Sequence, residues 1–523
     1  MNEGRFYITT PIYYVNDVPH IGHAYTTCAA DILARFHRLL GEQVFFLTGT
    51  DEHGDKIIKA AREVGIPPRQ LVDRVVRRFQ ELWASMDISH DDFVRTTEER
   101  HVQTVQTLFR ILQENGYIYK GEYEGWYCIP CETFWPENQL DERLRCPDCG
   151  RSLERLKEES YFFALSHFEQ KLLAHFEKTP RLVMPESRYN EIVSFIRSGL
   201  KDQSISRTGM DWGVPVPGDP THTLYVWFDA LINYVTATGF LDDRERFEAF
   251  WPVAHHLVGK DILRFHATLW PAMLMGAEIA LPKRVFAHGW WTVEGEKMSK
   301  SRGNVVDPWL MIDRYGVDRF RYFIMREVTF GLDGDFSERA LQERCNADLS
   351  DNFGNMVHRS LSMLWKYREG RVSRPINYRD GEWEDLLTDV RGNIFRFMDV
   401  FAFAQVLEQI WKLAHFGNRY IDRRTPWLLY KDPSRARELD EILYRLCDAS
   451  RLLALLVYPF LPRSAQKLWD MLGLPGRLAE CRIIEELSWE RGPAAYTPAS
   501  PQPLFPRLIE EEKEEGEVRR ETG

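Results

Sequence analysis

The first fifty residues leave few folds open. Phe6 to Val15 is rich in β-branched and aromatic residues, the composition of a strand buried on both faces. Pro19 breaks it, and from His20 apolar residues recur at helical spacing through Ile32, Leu33, Phe36 and Leu39 until Gly41. Val44 to Thr48 is a second apolar strand. Strand, helix and strand with short joins open a doubly wound, parallel α/β sheet.

Helical periodicity returns from Asp55 through Ala84 and again after Arg100. Near Gly116 the character changes: Tyr117 to about Leu156 is turn-rich and reads as an insertion. Leu224 to Tyr234, Ala254 to Leu257 and Val285 to Trp291 are apolar segments expected to complete the same sheet. Beyond Phe336 strand signals fade, and amphipathic helical segments from Cys345 to about Leu487 predict an all-α bundle. Residues 493–506 are Pro-rich, a linker or a strapped-down coil.

At 523 residues the chain has room for roughly three domains. A net charge of −11 excludes a generic, charge-driven nucleic-acid binder while leaving room for a local basic face. Seven acids crowd the stretch from Glu510 to Gly523, expected to be a solvated tail. The apolar run Leu452 to Phe460 falls short of the ~20 residues that a membrane span needs. Met1 to Phe6 shows no secretory pattern. The expected location is the cytoplasm, without membrane attachment.

Two short motifs 277 positions apart carry chemistry. His20-Ile21-Gly22-His23 stands at a predicted helix start, where unpaired N–H groups and the helix dipole favour an anion. Imidazoles three residues apart share a face, and Gly22 leaves the backbone open to a nucleotide. Lys297-Met298-Ser299-Lys300-Ser301, between Gly295 and Gly303, offers ammoniums and hydroxyls on a segment able to follow a departing phosphate group. Singly, the first reads as well as two surface histidines at a cap and the second as an exposed charged loop. As a pair in this order they point to activation by ATP.

Cys128-x₂-Cys131 and Cys146-x₂-Cys149 lie 14 residues apart. Two such knuckles close a tetrahedral thiolate site suited to Zn²⁺, with no open position for catalysis, so one structural zinc is expected. A redox pair is the weaker alternative, because Pro130 and Pro147 lie inside turns. Cys28, Cys345, Cys447 and Cys481 are scattered singly and are expected to be small buried residues.

The motifs, with Tyr7-Ile8-Thr9-Thr10-Pro11-Ile12-Tyr13-Tyr14, Thr50-Asp51-Glu52-His53-Gly54, Tyr225-Val226-Trp227-Phe228-Asp229-Ala230 and Gly259-Lys260-Asp261-Ile262, resemble the class I aminoacyl-tRNA synthetases. The resemblance is strongest to the methionyl family and covers nearly the whole chain. It implies a Rossmann-like catalytic domain whose first half is 1–115, a connective insertion with the zinc knuckle at 116–222, and the second half at 223–325. A connector at 326–345, an anticodon-binding helix bundle at 346–490 and a C-terminal linker with acidic tail at 491–523 would follow. The implied reaction joins L-methionine and ATP, with Mg²⁺, into methionyl-adenylate and passes methionine to the 3′-terminal ribose of tRNA(Met). His20, His23, Lys297 and Lys300 would be catalytic, with Gly22, Gly259, Asp261 and Ser299 also at ATP. Asp261 is equally suited to cap a helix. Pro11, Ile12, Tyr14, Trp227, Ala230, Tyr234, Ile262, His266 and Trp270 would wall the methionine pocket, with Asp51 on the ammonium. His266 and Trp270 are four apart and share a helix face. Leu231 departs from the proline of some relatives. Asn355, Arg359 and Trp427 would face a CAU anticodon, though Trp427 taken singly reads as core. An isoleucine-, valine- or leucine-type synthetase is the alternative, but such enzymes carry a large editing insertion, for which the span between the motifs leaves little room. One copy, unpaired, is the expected working unit.

Overall fold

A computed structural model describes residues 4–15, 18–130, 133–135, 140, 143–147, 149–293, 295–297, 305–376 and 380–509. The chain divides into two compact units, residues 1–317 with 328–335, and residues 318–327 with 336–523.

The first unit is built on a seven-stranded parallel sheet, numbered in chain order: β1 (Arg5–Thr9), β2 (Tyr13–Tyr14), β3 (Gln43–Asp51), β4 (Asp92–Arg95), β5 (Val183–Met184), β6 (Ala254–Gly259) and β7 (Arg284–His288). β1 lies between β3 and β6, β7 pairs with β6 and β5, and β4 pairs with β3. Phe6 to Thr9 and Ala254 to Val258 are buried throughout, which is why they read as continuous apolar runs. Helix α1 (Ile21–Leu39) follows β2 and is buried along most of its length, Ala24 to Leu33 without interruption.

Two expectations for this sheet need correction. Phe6 to Val15 is not one strand: pairing stops after Thr9 and resumes at β2, where Tyr13 and Tyr14 face Thr50 and Asp51. Pro11 sits in the break, and a proline has no N–H to continue the ladder. Leu224 to Tyr234 is not part of this sheet. Asp219–Leu224 belongs to a separate three-stranded antiparallel sheet, and the chain is helical over Val226–Leu231 and Asn233–Ala237. A run buried on all sides reads alike as helix or strand. The insertion is also less turn-rich than expected, because Ile118–Cys128 and Glu154–Phe163 form a long antiparallel hairpin.

The second unit is helical. Helix Phe403–Arg424 packs against Gly381–Asp399, Asn355–Arg368 and Ala436–Val457, and the last also packs against Pro462–Met471. Ala436–Val457 is its centre, with every residue from Ile442 to Val457 buried. Among those residues is an ion pair: Arg451 Nε meets Asp448 Oδ1 at 2.6 Å, and its other nitrogens donate to the Glu486 and Ser488 carbonyls. Tyr496, fully buried, donates its hydroxyl to Asp448 at 2.6 Å, and Ala495–Tyr496 pairs with Val372–Ser373. The stretch after Leu487 is thus strapped onto the bundle. Cys28, Cys345 and Cys447 are buried, whereas Cys481 follows a single 3₁₀ turn and is half-buried rather than buried.

Removing one partner of a buried ion pair leaves the other charge uncompensated. Arg451→Met is expected to destabilise the bundle by about 3–5 kcal/mol in a denaturant titration. The double variant Arg451→Met/Asp448→Leu should lose less than the sum of the two single changes.

Candidate active site

Ligands of open parallel sheets bind beyond the carboxyl ends of the strands, where the strand order reverses. That point lies between β1 and β6, because the chain proceeds from β1 to β3 on one side and returns through β6 and β7 on the other. Pro11 and Ile12 follow β1, Asp51 ends β3, Gly259 ends β6, Asp261, Ile262 and His266 follow it, and Trp290 follows β7.

The start of α1 shows how the first motif is held. His20 is the N-cap: its Nδ1 accepts the Gly22 N–H at 3.1 Å, while His23 Nδ1 accepts the His20 N–H at 3.0 Å. This is a capping box made from imidazoles, satisfying two backbone donors of the first turn. With both Nδ1 atoms accepting, each neutral ring carries its proton on Nε2. Burial and the neighbouring His20 hold His23 well below the usual histidine range, so it donates as a neutral group near pH 7. Gly22 has a nearer reason than a nucleotide to lack a side chain, since a Cβ would stand 2.9 Å from the His20 ring. Tyr13 ties the motif to β2, its ring 4.8 Å from that of His23.

Lys297 ends the short strand Glu296–Lys297, opposite Thr292. Ser299, Lys300 and Ser301 lie outside the described residues. Both flanks of this segment are fastened to α1. Before it, Trp291 packs edge-on against Tyr25 at 5.6 Å, and His288 Nε2 lies 2.7 Å from the Thr26 hydroxyl. After it, the Val306 carbonyl accepts the Ile21 N–H at 3.3 Å.

Tyr14 and Asp51 are register partners, and Tyr14 donates its hydroxyl to the His53 carbonyl at 2.6 Å. Trp227 stacks on Phe265 at 4.0 Å, with His266 edge-on at 6.3 Å. Ala230 is buried one turn before Tyr234. His266 Nδ1–H donates to the Ile262 carbonyl at 3.0 Å, so its Nε2 accepts the Tyr234 hydroxyl at 2.7 Å. His256 lies under Tyr234, ring centroids 4.1 Å apart, and Trp270 Nε1 donates to His256 Nε2. Pro11, Ile12, Tyr14 and Asp51 thus lie around the first strands, while Trp227, Tyr234, His266 and Trp270 form one aromatic cluster, which the Ile262 carbonyl joins through His266. Burial lowers His266 to about 4 and pushes the Tyr234 phenol up, so both are neutral near pH 7.

Gly259 and Asp261 form a unit: a Cβ on Gly259 would stand 2.5 Å from Asp261 Oδ1, which accepts the Trp290 indole N–H at 3.0 Å. Asp261 remains exposed and able to accept hydroxyls.

One part of the site escaped sequence reasoning. Asp229, fully buried, accepts from His53 Nδ1 at 2.6 Å and from His101 Nε2 at 2.8 Å. Burial pushes the carboxyl up, and the two imidazoles more than reverse this, holding it at about 2. The carboxylate joins the end of β3 to helices Glu99–Glu114 and Val226–Leu231. His53 and Asp229 stand inside conspicuous segments, but His101 has no local signal.

Cys128, Cys146 and Cys149 bring their sulfurs within 4.8 Å of one another, and Cys131 lies outside the described residues. Tetrahedral Zn–thiolate geometry sets sulfurs about 3.8 Å apart, so the three present fit a metal. The Cys146 carbonyl accepts the Gly150 N–H at 2.8 Å, and Gly150 takes the left-handed φ of +71° that closes the knuckle. Among the described residues the local core is Cys128, Trp135, Cys146 and Leu153, with Trp126 and Leu140 packed against it, too little apolar burial to fold unaided.

In the second unit, Asn355 Nδ2 donates to Asn418 Oδ1 at 3.1 Å and Arg359 pairs with Asp422 at 2.6 Å, joining two helices by residues one turn apart on each. Neither Asn418 nor Asp422 was singled out from sequence. Trp427 is 40% exposed, which removes the core alternative.

Comparisons with known proteins agree with this arrangement. The family model described as tRNA synthetases class I (M) matches residues 6–155 and 151–361, and that of the anticodon binding domain of methionyl tRNA ligase matches residues 383–521. A methionine–tRNA ligase of Caldanaerobacter subterraneus subsp. tengcongensis is 48% identical over 99% of this chain and 81% of its own. One from Rickettsia bellii is 47% identical over 97% of this chain and 100% of its own. The structure of Mycobacterium tuberculosis methionyl-tRNA synthetase in complex with methionyl-adenylate superposes with a TM-score of 0.90 at 42% identity, covering 96% of this chain and 100% of that one.

The buried imidazoles make stability depend on pH in a defined direction. Between its ordinary 6.5 and about 4, His266 is protonated in the unfolded chain but not in the folded one. Its contribution is therefore complete above pH 6.5 and declines as pH falls through that window, by on the order of 3 kcal/mol. Denaturant titrations from pH 7 to 4 should show the decline, with a shallower slope for His266→Gln.

Proposed function

This chain belongs to the methionyl-tRNA synthetase family of class I aminoacyl-tRNA synthetases, and on that premise we propose how its residues divide the work. The chain activates methionine with ATP to methionyl-adenylate and transfers the methionyl group to tRNA. Asp51 holds the methionine ammonium, and the aromatic cluster of Trp227, Tyr234, His266 and Trp270 takes the thioether, with Pro11, Ile12, Tyr14, Ala230 and Ile262 completing the walls. Polarisable sulfur gains from ring contacts beyond its burial. Gly259 and Asp261 receive adenosine and ribose. The methionine carboxylate is itself the nucleophile and attacks the α-phosphorus in line, so the protein supplies position and charge stabilisation. His20 and His23 donate through Nε2–H, and Lys297, Ser299 and Lys300 follow the pyrophosphate as negative charge gathers on it. Mg²⁺ bound to ATP would share that charge. In the second step the methionyl group passes to the 2′-hydroxyl of the terminal ribose of a tRNA whose CAU anticodon meets Asn355, Arg359 and Trp427.

The observation that carries this assignment is the double fastening of the Lys297 segment to α1, with Trp291 before it and Val306 after it. It supports imidazoles and ammoniums acting on one triphosphate. Amino-acid-dependent ATP–pyrophosphate exchange without tRNA tests it. Methionine is expected to support exchange far better than isoleucine, valine or leucine. Lys300→Ala should lower the exchange rate by about 10²–10³ while changing methionine affinity far less. Equal losses in both would remove Lys300 from the transition state.

Zinc held by Cys128, Cys131, Cys146 and Cys149 would supply folding energy to the insertion. The cytoplasm is taken as the location, and one copy of 61.5 kDa as the working unit. Elemental analysis should find one zinc per chain. Chelation should open the hairpin Ile118–Cys128/Glu154–Phe163 to proteolysis before the main sheet; an unchanged digest with no metal bound would refute the assignment.

A further inference from the structure

Helix Phe403–Arg424 ends at Thr425, whose φ of +44° turns the chain, and Pro426 at once begins the four-residue helix Pro426–Leu429. The turn throws Trp427, Leu428 and Tyr430 outward, at 40%, 53% and 50% exposure. Single exposed apolar residues are ordinary, but three within four positions make a patch.

Tyr430 is not loose. Its ring lies on that of Tyr367, 63 positions earlier, with centroids 4.5 Å apart and 25° between the planes. Tyr367 stands near the end of the helix whose beginning carries Asn355 and Arg359. The Lys366 ammonium lies 5.7 Å from the Tyr367 ring, and Lys431 follows Tyr430; neither has an acidic partner among the described residues. Two rings already stacked present a flat, ordered face at little further cost in side-chain entropy. Trp427 and Tyr430 also fall within the span that matches an anticodon-binding domain, residues 383–521. Aromatic faces beside uncommitted cations are the chemistry that holds unpaired nucleotides, because every base has a stackable face.

We propose that the Tyr367–Tyr430 stack is a second base-stacking platform, taking an unpaired loop nucleotide of the tRNA beside those met by Asn355, Arg359 and Trp427. It rests on the assignment of those three residues to the anticodon. The occupant is single-stranded RNA rather than protein, since the patch pairs ring faces with free cations.

The test is binding of a short hairpin RNA with a CAU loop to the full chain, followed by fluorescence anisotropy. Tyr430→Ala and Tyr430→Leu, the second keeping an apolar cover on Tyr367, should each weaken binding by about tenfold. Tyr430→Phe should bind like the parent. Abasic substitution along the loop should abolish the Tyr430→Leu penalty at one position, that of the stacked base. Parental affinity of the Leu variant, or equal weakening by Phe and Leu, would overturn the platform. If Trp427→Ala weakens binding while the Tyr430 variants do not, the platform alone falls; if neither does, the anticodon assignment falls with it. A solution mass that drops from two copies to one on Tyr430→Leu would instead give the patch to a second chain and overturn the proposal.

Discussion

The parallel pairing of Arg5–Thr9 with a strand on either side fixes everything else in the first unit. Five residues, buried from Phe6 onward, are claimed by Gln43–Asp51 on one edge and by Ala254–Gly259, some 250 positions later, on the other. Until both edges are paired, the buried N–H and C=O groups of this strand lack partners. Once they are, the strand stops at Thr9, four residues short of Asp51 on one neighbour and three short of Gly259 on the other, and the motif segments that follow these strands are set at that end of the sheet. The working groups owe their placement to the rigid sheet beneath them, as precise sites do.

On the proposed reading, structural and chemical duties coincide in the same residues. The backbone at the head of α1 needs acceptors, and the imidazoles meet that need through Nδ1, which settles where their protons must be. Asp229 is comparable: a carboxylate with no route to water is tolerable only because two imidazoles donate to it, and in return it fixes the segment after Asp51. Such groups cannot be exchanged for isosteres without disturbing the fold and the chemistry together.

How much of this was legible follows from how local each signal is. The opening strand and helix, the two motifs and the paired cysteines are written in residues close together in the chain; a parallel sheet and α1 appear there, though the opening strand breaks at Pro11, and three of the four cysteines cluster among the described residues. Leu224 to Tyr234 was misread because burial on all sides erases the difference between a period of two and one of 3.6. Val183–Met184 is too short to carry a pattern at all. His101, Asn418 and Asp422 acquire meaning only from partners more than 60 residues away, a relation that spacing does not encode.

Tyr496 reaches its buried carboxylate from near the end of the chain, and Arg451 leans on carbonyls at Glu486 and Ser488. The helical unit therefore cannot seal its interior while those residues are still unmade. During synthesis the parallel sheet is free to assemble first, while the central helix of the bundle waits with an open charge pair. Closure of the helical unit is in this sense timed by the arrival of a single tyrosine, 48 positions beyond the carboxylate it meets.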